Sequence, residues 1–214
     1  GPEAAAPALT RLFSGTRLKV DAIQSDWAQV TAHVTGWLPL VELRALDALP
    51  QTVEARRQQM MIDARRMMGV PYLWGGTAGN GIDCSGFARL LHAWVGLDLP
   101  RDADMQCAAA RPVEPPFAPG DLFFFSEDDS SRRITHVGTS LGGWEMIHSS
   151  RSRNGVNVDN VQEKEGLRSI FVSAGSFLTT TALTASPAFA SGTPTPPHSS
   201  TPGSVAMTLS ISLG

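Results

Sequence analysis

The sequence predicts an α+β fold, and three observations predict it. Apolar residues recur at helical spacing in two stretches, Val53 to Met68 and Ser85 to Val95. From Asp121 onward the period becomes that of strands, in consecutive segments 121–125, 134–140, 144–149, 156–161 and 169–172. The chain has 214 residues, 42 % of them hydrophobic, which is enough to bury a core. Helices first and sheet second is the order of an α+β domain.

Taken in order, the chain divides into residues 1–48, 49–173 and 174–214. Gly1-Pro2 reads as the scar a protease leaves on removing an expression tag. Short alternating runs follow, Arg17-Leu18-Lys19-Val20, Trp27-Ala28-Gln29-Val30 and Thr35-Gly36-Trp37-Leu38-Pro39, as in a small twisted β module. A helix over 53–68 is capped by Thr52 and stopped at Gly69, with Met60, Met61, Ala64, Met67 and Met68 as its apolar stripe. Arg56, Arg57, Arg65 and Arg66 are expected on its solvated face. A glycine-rich loop (Gly75, Gly76, Gly79, Gly81) leads into the helix at 85–95, where Asp83 is an N-cap type and Gly96 a terminator. Asp102 starts a further short helix through Ala110. From Ala174 the chain has no Lys, Arg, Asp or Glu and is rich in Ser, Thr and Pro, the composition of a tail. Within it Val205, Met207, Leu209, Ile211 and Leu213 alternate with small residues, so a strand at 205–213 is expected to pair with a sheet edge or a neighbouring molecule.

Charge and composition exclude some functions. The net charge is −3 with no basic block, which gives no footing for nucleic acid, and no apolar run is long enough to span a membrane. The chemistry expected below needs neither metal nor cofactor. Cys84 lies in the first turn of the 85–95 helix, where free N–H groups and the helix dipole favour an anion; a thiolate nucleophile is the expectation. The pairing of Cys84 with Cys107 in a disulfide is not expected, because a nucleophile must stay reduced.

A thiol nucleophile needs a base. His33 lies in the β module and His198 in the tail, and His92 is about 12 Å along the helix axis from Cys84, at 1.5 Å per residue. His136 and His148 remain, on successive strands joined through Gly142-Gly143. A three-residue loop, Leu141-Gly142-Gly143, would pair His136 with His148 on one face. Geometry alone leaves a Cys–His–His site and two ordinary histidines equally open.

Six motifs in order carry a resemblance: Pro71-Tyr72-Leu73-Trp74-Gly75-Gly76, Gly81-Ile82-Asp83-Cys84-Ser85-Gly86-Phe87, Pro100-Arg101-Asp102, Pro119-Gly120-Asp121-Leu122, Thr135-His136-Val137-Gly138 and Met146-Ile147-His148-Ser149. This resembles an NlpC-type peptidase, of a papain-like family of bacterial cell-wall cysteine hydrolases, over 53–172. The spacing of Gly15, Trp27, Gly36 and Trp37 resembles the second half of a bacterial SH3-like domain, without its opening strand and first long loop.

The resemblance implies Cys84 as nucleophile, His136 as general base, His148 as its orienting partner and the Tyr72 hydroxyl as an oxyanion donor. It implies Asp83 and Ser85 as binders of a free α-amine, with Trp74 also on the substrate side, and treats Arg101 and Asp102 as structural. The implied reaction is hydrolysis of the γ-D-glutamyl to diamino acid bond in peptidoglycan stem peptides or muropeptides carrying a free N-terminal L-Ala. An amidase or acyltransferase acting on acyl or lipid substrates, and a non-catalytic wall-binding protein, are the competing expectations.

Overall fold

The computed structural model describes residues 6–128, 130, 132–178 and 205–209, the last group by backbone alone. Gly1-Pro2, His198 and the end of the expected tail strand lie outside the described residues. In the N-terminal part, β1 (Arg17–Gln24), β2 (Trp27–Thr31) and β3 (Thr35–Pro39) form an antiparallel meander, followed by β4 (Leu43–Ala45). Strand alternation puts Leu18 and Val20 of β1, and Ala28 and Val30 of β2, into one small core.

Helix α1 (Val53–Arg66) begins at Thr52, whose side chain accepts the Ala55 N–H at 3.2 Å. Met60, Met61, Ala64 and Met67 are buried as the spacing predicts, whereas Met68, one residue past the stripe, is exposed. The expectation for the arginines is corrected at two positions. Arg56 is buried and donates to the Pro50 carbonyl, and Arg57 bonds Asp121 at 3.1 Å. Backbone carbonyls and a buried carboxylate at the start of α1 draw these two inward; Arg65 and Arg66 stay outside.

The ribbon β5 (Thr77–Ala78) and β6 (Gly81–Ile82) closes the glycine-rich loop, and α2 (Cys84–Ala93) follows at once. After α3 (Ala103–Ala109) and the short β7 (Arg111–Pro112) come β8 (Leu122–Ser126), β9 (Ile134–Gly142), β10 (Glu145–Ser150), β11 (Gly155–Asn160), α4 (Glu165–Arg168) and β12 (Phe171–Ser176). Strands β7 to β12 make a six-stranded antiparallel sheet in the order β11-β10-β9-β8-β12-β7. Central β8 is buried on both faces. Leu122 and Phe124 join the core beneath α1 and α2, while Phe123 and Phe125 join an aromatic cluster with Phe117, Trp144 and Phe171.

Strand β13 (Val205–Leu209) does not extend this sheet. It lies in the N-terminal one, antiparallel to both β1 and β4, giving the order β3-β2-β1-β13-β4. Arg44 of β4 fixes that sheet to the core: its guanidinium forks onto buried Asp63 of α1 at 2.9 and 3.1 Å and donates to the Trp94 carbonyl. Among the described residues no helix is long and apolar enough to cross a membrane.

Candidate active site

Asp83 organises the start of α2. One carboxylate oxygen accepts the Gly86 N–H at 2.7 Å as an N-cap, and the other accepts the Gly75 N–H at 2.9 Å. Gly86 leaves room for this: a Cβ there would stand 2.3 Å from the Gly76 carbonyl oxygen. Arg101 grips the same carboxylate at 3.1 and 2.5 Å and also donates to the Ser85 hydroxyl at 2.9 Å. Gln106 of α3, fully buried, donates to the Ser85 carbonyl at 3.0 Å. The segment before the glycine loop pairs with Ile82, through Ile82 N–H to Pro71 O at 3.0 Å and Leu73 N–H to Ile82 O at 3.3 Å. That pairing brings the Tyr72 ring into the electrostatic field of Cys84, Asp83, Arg101 and Arg151.

Cys84 is 7 % exposed, and the backbone N–H of Val137 on β9 points at its sulfur. The first turn of α2 and the His136–Val137 stretch of β9 therefore meet at the thiol. On β9 and the neighbouring β10, His136 Nε2 and His148 Nδ1 are 2.6 Å apart. The expected hairpin register is corrected. Glu145 pairs with Gly142 and Met146 with Ser140 across a bulge, so His148 is not directly opposite His136. The bulge shifts the pairing by an even number of residues overall, which keeps both imidazoles on one face as diagonal neighbours.

Burial acts on both reacting groups. Burial pushes the Cys84 thiol up from its ordinary value, and the N–H groups of Val137, Ser85 and Cys84 only partly oppose this. Burial, aided by the neighbouring His148, lowers His136 to about 3, against the pull of Asp159. Burial thus works against the charged form of each group taken singly.

A cleft of about 460 Å³ runs past the sulfur between Trp74, Asp83, Ser85, Arg101 and Ile134. Trp74 is 82 % exposed and forms its wall. Of the seven residues singled out in the sequence, Cys84, Asp83, Ser85 and Trp74 line this cleft; His136 and His148 are bonded to each other and line a second cavity, and Tyr72 lies in the field of Cys84 and Asp83. Two further residues support the site. Arg101, read as structural, holds both Asp83 and Ser85; Asp159 accepts from His148 Nε2 at 3.2 Å. The one signal for Asp159 was alternation in β11, whose polar Asn157 and Asp159 share a face opposite His148.

A helix that opens on a thiol, laid against an antiparallel sheet bearing two bonded imidazoles, is the architecture of a cysteine-peptidase domain. Residues 69–173 match the model of the NlpC/P60 family. It is 34 % identical over 129 residues to the gamma-D-glutamyl-L-lysine dipeptidyl-peptidase of Bacillus subtilis, covering 58 % of this chain and 44 % of that protein. It is 37 % identical over 103 residues to the probable endopeptidase p60 of Listeria innocua, covering 48 % of this chain and 21 % of that one. The chain thus spans less than half the length of either relative. A crystal structure of an NlpC/P60 family protein from Bacillus cereus superposes with a TM-score of 0.69 at 26 % identity, over 77 % of this chain and 54 % of that one.

Proposed function

We propose that the protein is a cysteine endopeptidase that hydrolyses the γ-D-glutamyl to diamino acid bond of peptidoglycan stem peptides. The observation that carries this reading is the 2.6 Å contact between His136 and His148 on the sheet that packs against α2, the helix that opens on the buried Cys84 thiol. In the proposed reaction His136 takes the Cys84 proton as sulfur attacks the scissile carbonyl, and His148 orients the ring. The resulting oxyanion sits between the Cys84 N–H and the Tyr72 hydroxyl. The imidazolium then gives its proton to the leaving amine, and water, deprotonated by the same imidazole, releases the acyl group and restores the thiol.

The substrate class draws support from the names of the relatives and from the cleft. A γ-linked D-glutamate keeps a free α-carboxylate, and the partly exposed Arg101 offers a cation for it in the cleft. We place the substrate's free α-amine at Asp83 and Ser85, with Trp74 covering the peptide. Arg101 already occupies both oxygens of Asp83, so an ammonium there must share the carboxylate. We read residues 1–48, closed by the tail strand, as an SH3-like module.

The test is incubation with L-Ala-γ-D-Glu-diaminopimelate, its lysine analogue and N-acylated versions of both. Release of L-Ala-D-Glu by the wild type, absent in Cys84→Ala, is the expected result. Equal cleavage of free and acylated peptides removes the amine from Asp83. No cleavage of any peptide, with thioester turnover intact, overturns the peptidase reading in favour of acyl transfer.

A further inference from the structure

The imidazole pair ends on a carboxylate that the reaction above leaves unused. Asp159 of β11 is 8 % exposed and lies two positions beyond Asn157, the residue paired with His148. Its Oδ2 is 3.2 Å from His148 Nε2. Its Oδ1 takes the Lys164 ammonium at the start of α4 and the Arg153 guanidinium at 3.3 Å from the β10–β11 turn.

Proton accounting along this row has one solution. An ionised carboxylate only accepts, so His148 Nε2 carries a hydrogen. A neutral His148 then presents Nδ1 as a lone pair, and His136, 2.6 Å away, must donate its Nε2–H to it. A neutral His136 is left with its lone pair on Nδ1. Without Asp159, either tautomer of His148 is available, and half of the arrangements put a proton where the base must be empty.

We propose that Asp159 is a positioning residue that fixes the tautomers of both imidazoles, so that His136 offers Nδ1 as the base, and that Lys164, sharing the carboxylate, moderates its strength. When His136 becomes an imidazolium, Asp159 stabilises the charge through His148, and Lys164 opposes it. The other charged groups lining the cavity beside the row are Arg151 and Arg153 from the β10–β11 turn and Glu165 from α4; on the α2 side Cys84 meets the Val137 N–H, one residue along β9 from His136. The catalytic half of the proposal rests on the peptidase reading; the tautomer half does not.

Three variants separate the parts. Asp159→Asn keeps an acceptor oxygen but removes the charge, Asp159→Leu removes both, and Lys164→Gln removes the opposing cation. For stem-peptide cleavage, Asp159→Asn lowers kcat about tenfold with KM changed less than twofold, and the acid limb of its pH profile moves down. Lys164→Gln moves that limb up by about one pH unit, the low end of a close charge's effect. Limbs unmoved in both variants, or moved the same way, overturn the tuning role.

A substrate-free measurement stands beside it: ¹⁵N-histidine spectra of the whole chain, with iodoacetamide alkylation of Cys84 against pH. His148 protonated on Nε2 in the wild type, and mixed tautomers in Asp159→Leu, are the expected spectra. A wild-type His148 protonated on Nδ1 overturns the proposal. Expected spectra and opposite shifts in alkylation, with no peptide cut, leave the inference standing and defeat only the peptidase reading. Thermal unfolding of each variant identifies any loss caused by misfolding.

Discussion

Gly138 shows how tightly the reacting side chains are packed. A Cβ there would stand 2.4 Å from Met146 Sδ and 3.4 Å from His148 Cβ. Gly138→Ala is expected to displace the Met146 side chain at a cost of about 1–3 kcal/mol of stability, while kcat changes little because His148 is left at ordinary contact distance. Steady-state kinetics with a chemical melt checks both. Because burial lowers His136 to about 3, its imidazole is neutral across ordinary pH, and kcat/KM is expected to stay flat down to at least pH 5. An acid limb near 6.5 would show an imidazole in an ordinary aqueous setting. At this scale the sequence was legible where a motif joins chemistry to spacing, as for Cys84, Asp83 and the two histidines. It was illegible for Asp159, because a lone acid in a strand carries no local signal of its distant partner.

Helix α2 illustrates how an element can be set by its first turn. Alanine is a better helix former than glycine by about 1 kcal/mol, so propensity alone favours Gly86→Ala. The close Gly76 carbonyl reverses the sign. The substitution is expected to lower stability by at least 1 kcal/mol, the usual worth of the cap it would displace, and a melt showing no loss would remove the cap from this account. Arg44 plays the corresponding part for β4. Arg44→Leu leaves buried Asp63 with Gln59 and a distant Arg66, and should cost about 3 kcal/mol by denaturant titration. Helix positions and the succession of strands along the chain were readable from period and caps. The β9–β10 register was not, because a bulge depends on how the sheet twists against α2 and leaves no mark in a pattern of alternating residues.

For the molecule as a whole, stability should depend on pH through its buried imidazoles. His92 and His136 have folded values of about 4 and about 3, below the free value of 6.5. The unfolded chain therefore binds protons first. Stability is complete above about pH 6.5 and falls as pH drops toward 4, by roughly 1 kcal/mol per unit for each group. His92→Gln is expected to make that slope shallower in urea melts between pH 4 and 6. The tail strand gives a second whole-molecule expectation. Truncation after Leu178 should strip amide-exchange protection from 17–20 and 43–45 while leaving the six-stranded sheet protected; unchanged protection would show that β13 adds nothing to the first sheet.

The placement of β13 also governs how the protein would bear tension. Arg17 pairs with Thr208 and Val20 with Val205, so the outward end of β1 and the outward end of β13 leave the sheet side by side. Force applied through these two ends does not shear the strands along their length. It opens them like a zip, one pair of hydrogen bonds after another, which is the weakest way to load an antiparallel pair. The small sheet would yield first, and the slack released by β13 would reach the chain ends before any load reached the strands that carry His136 and His148.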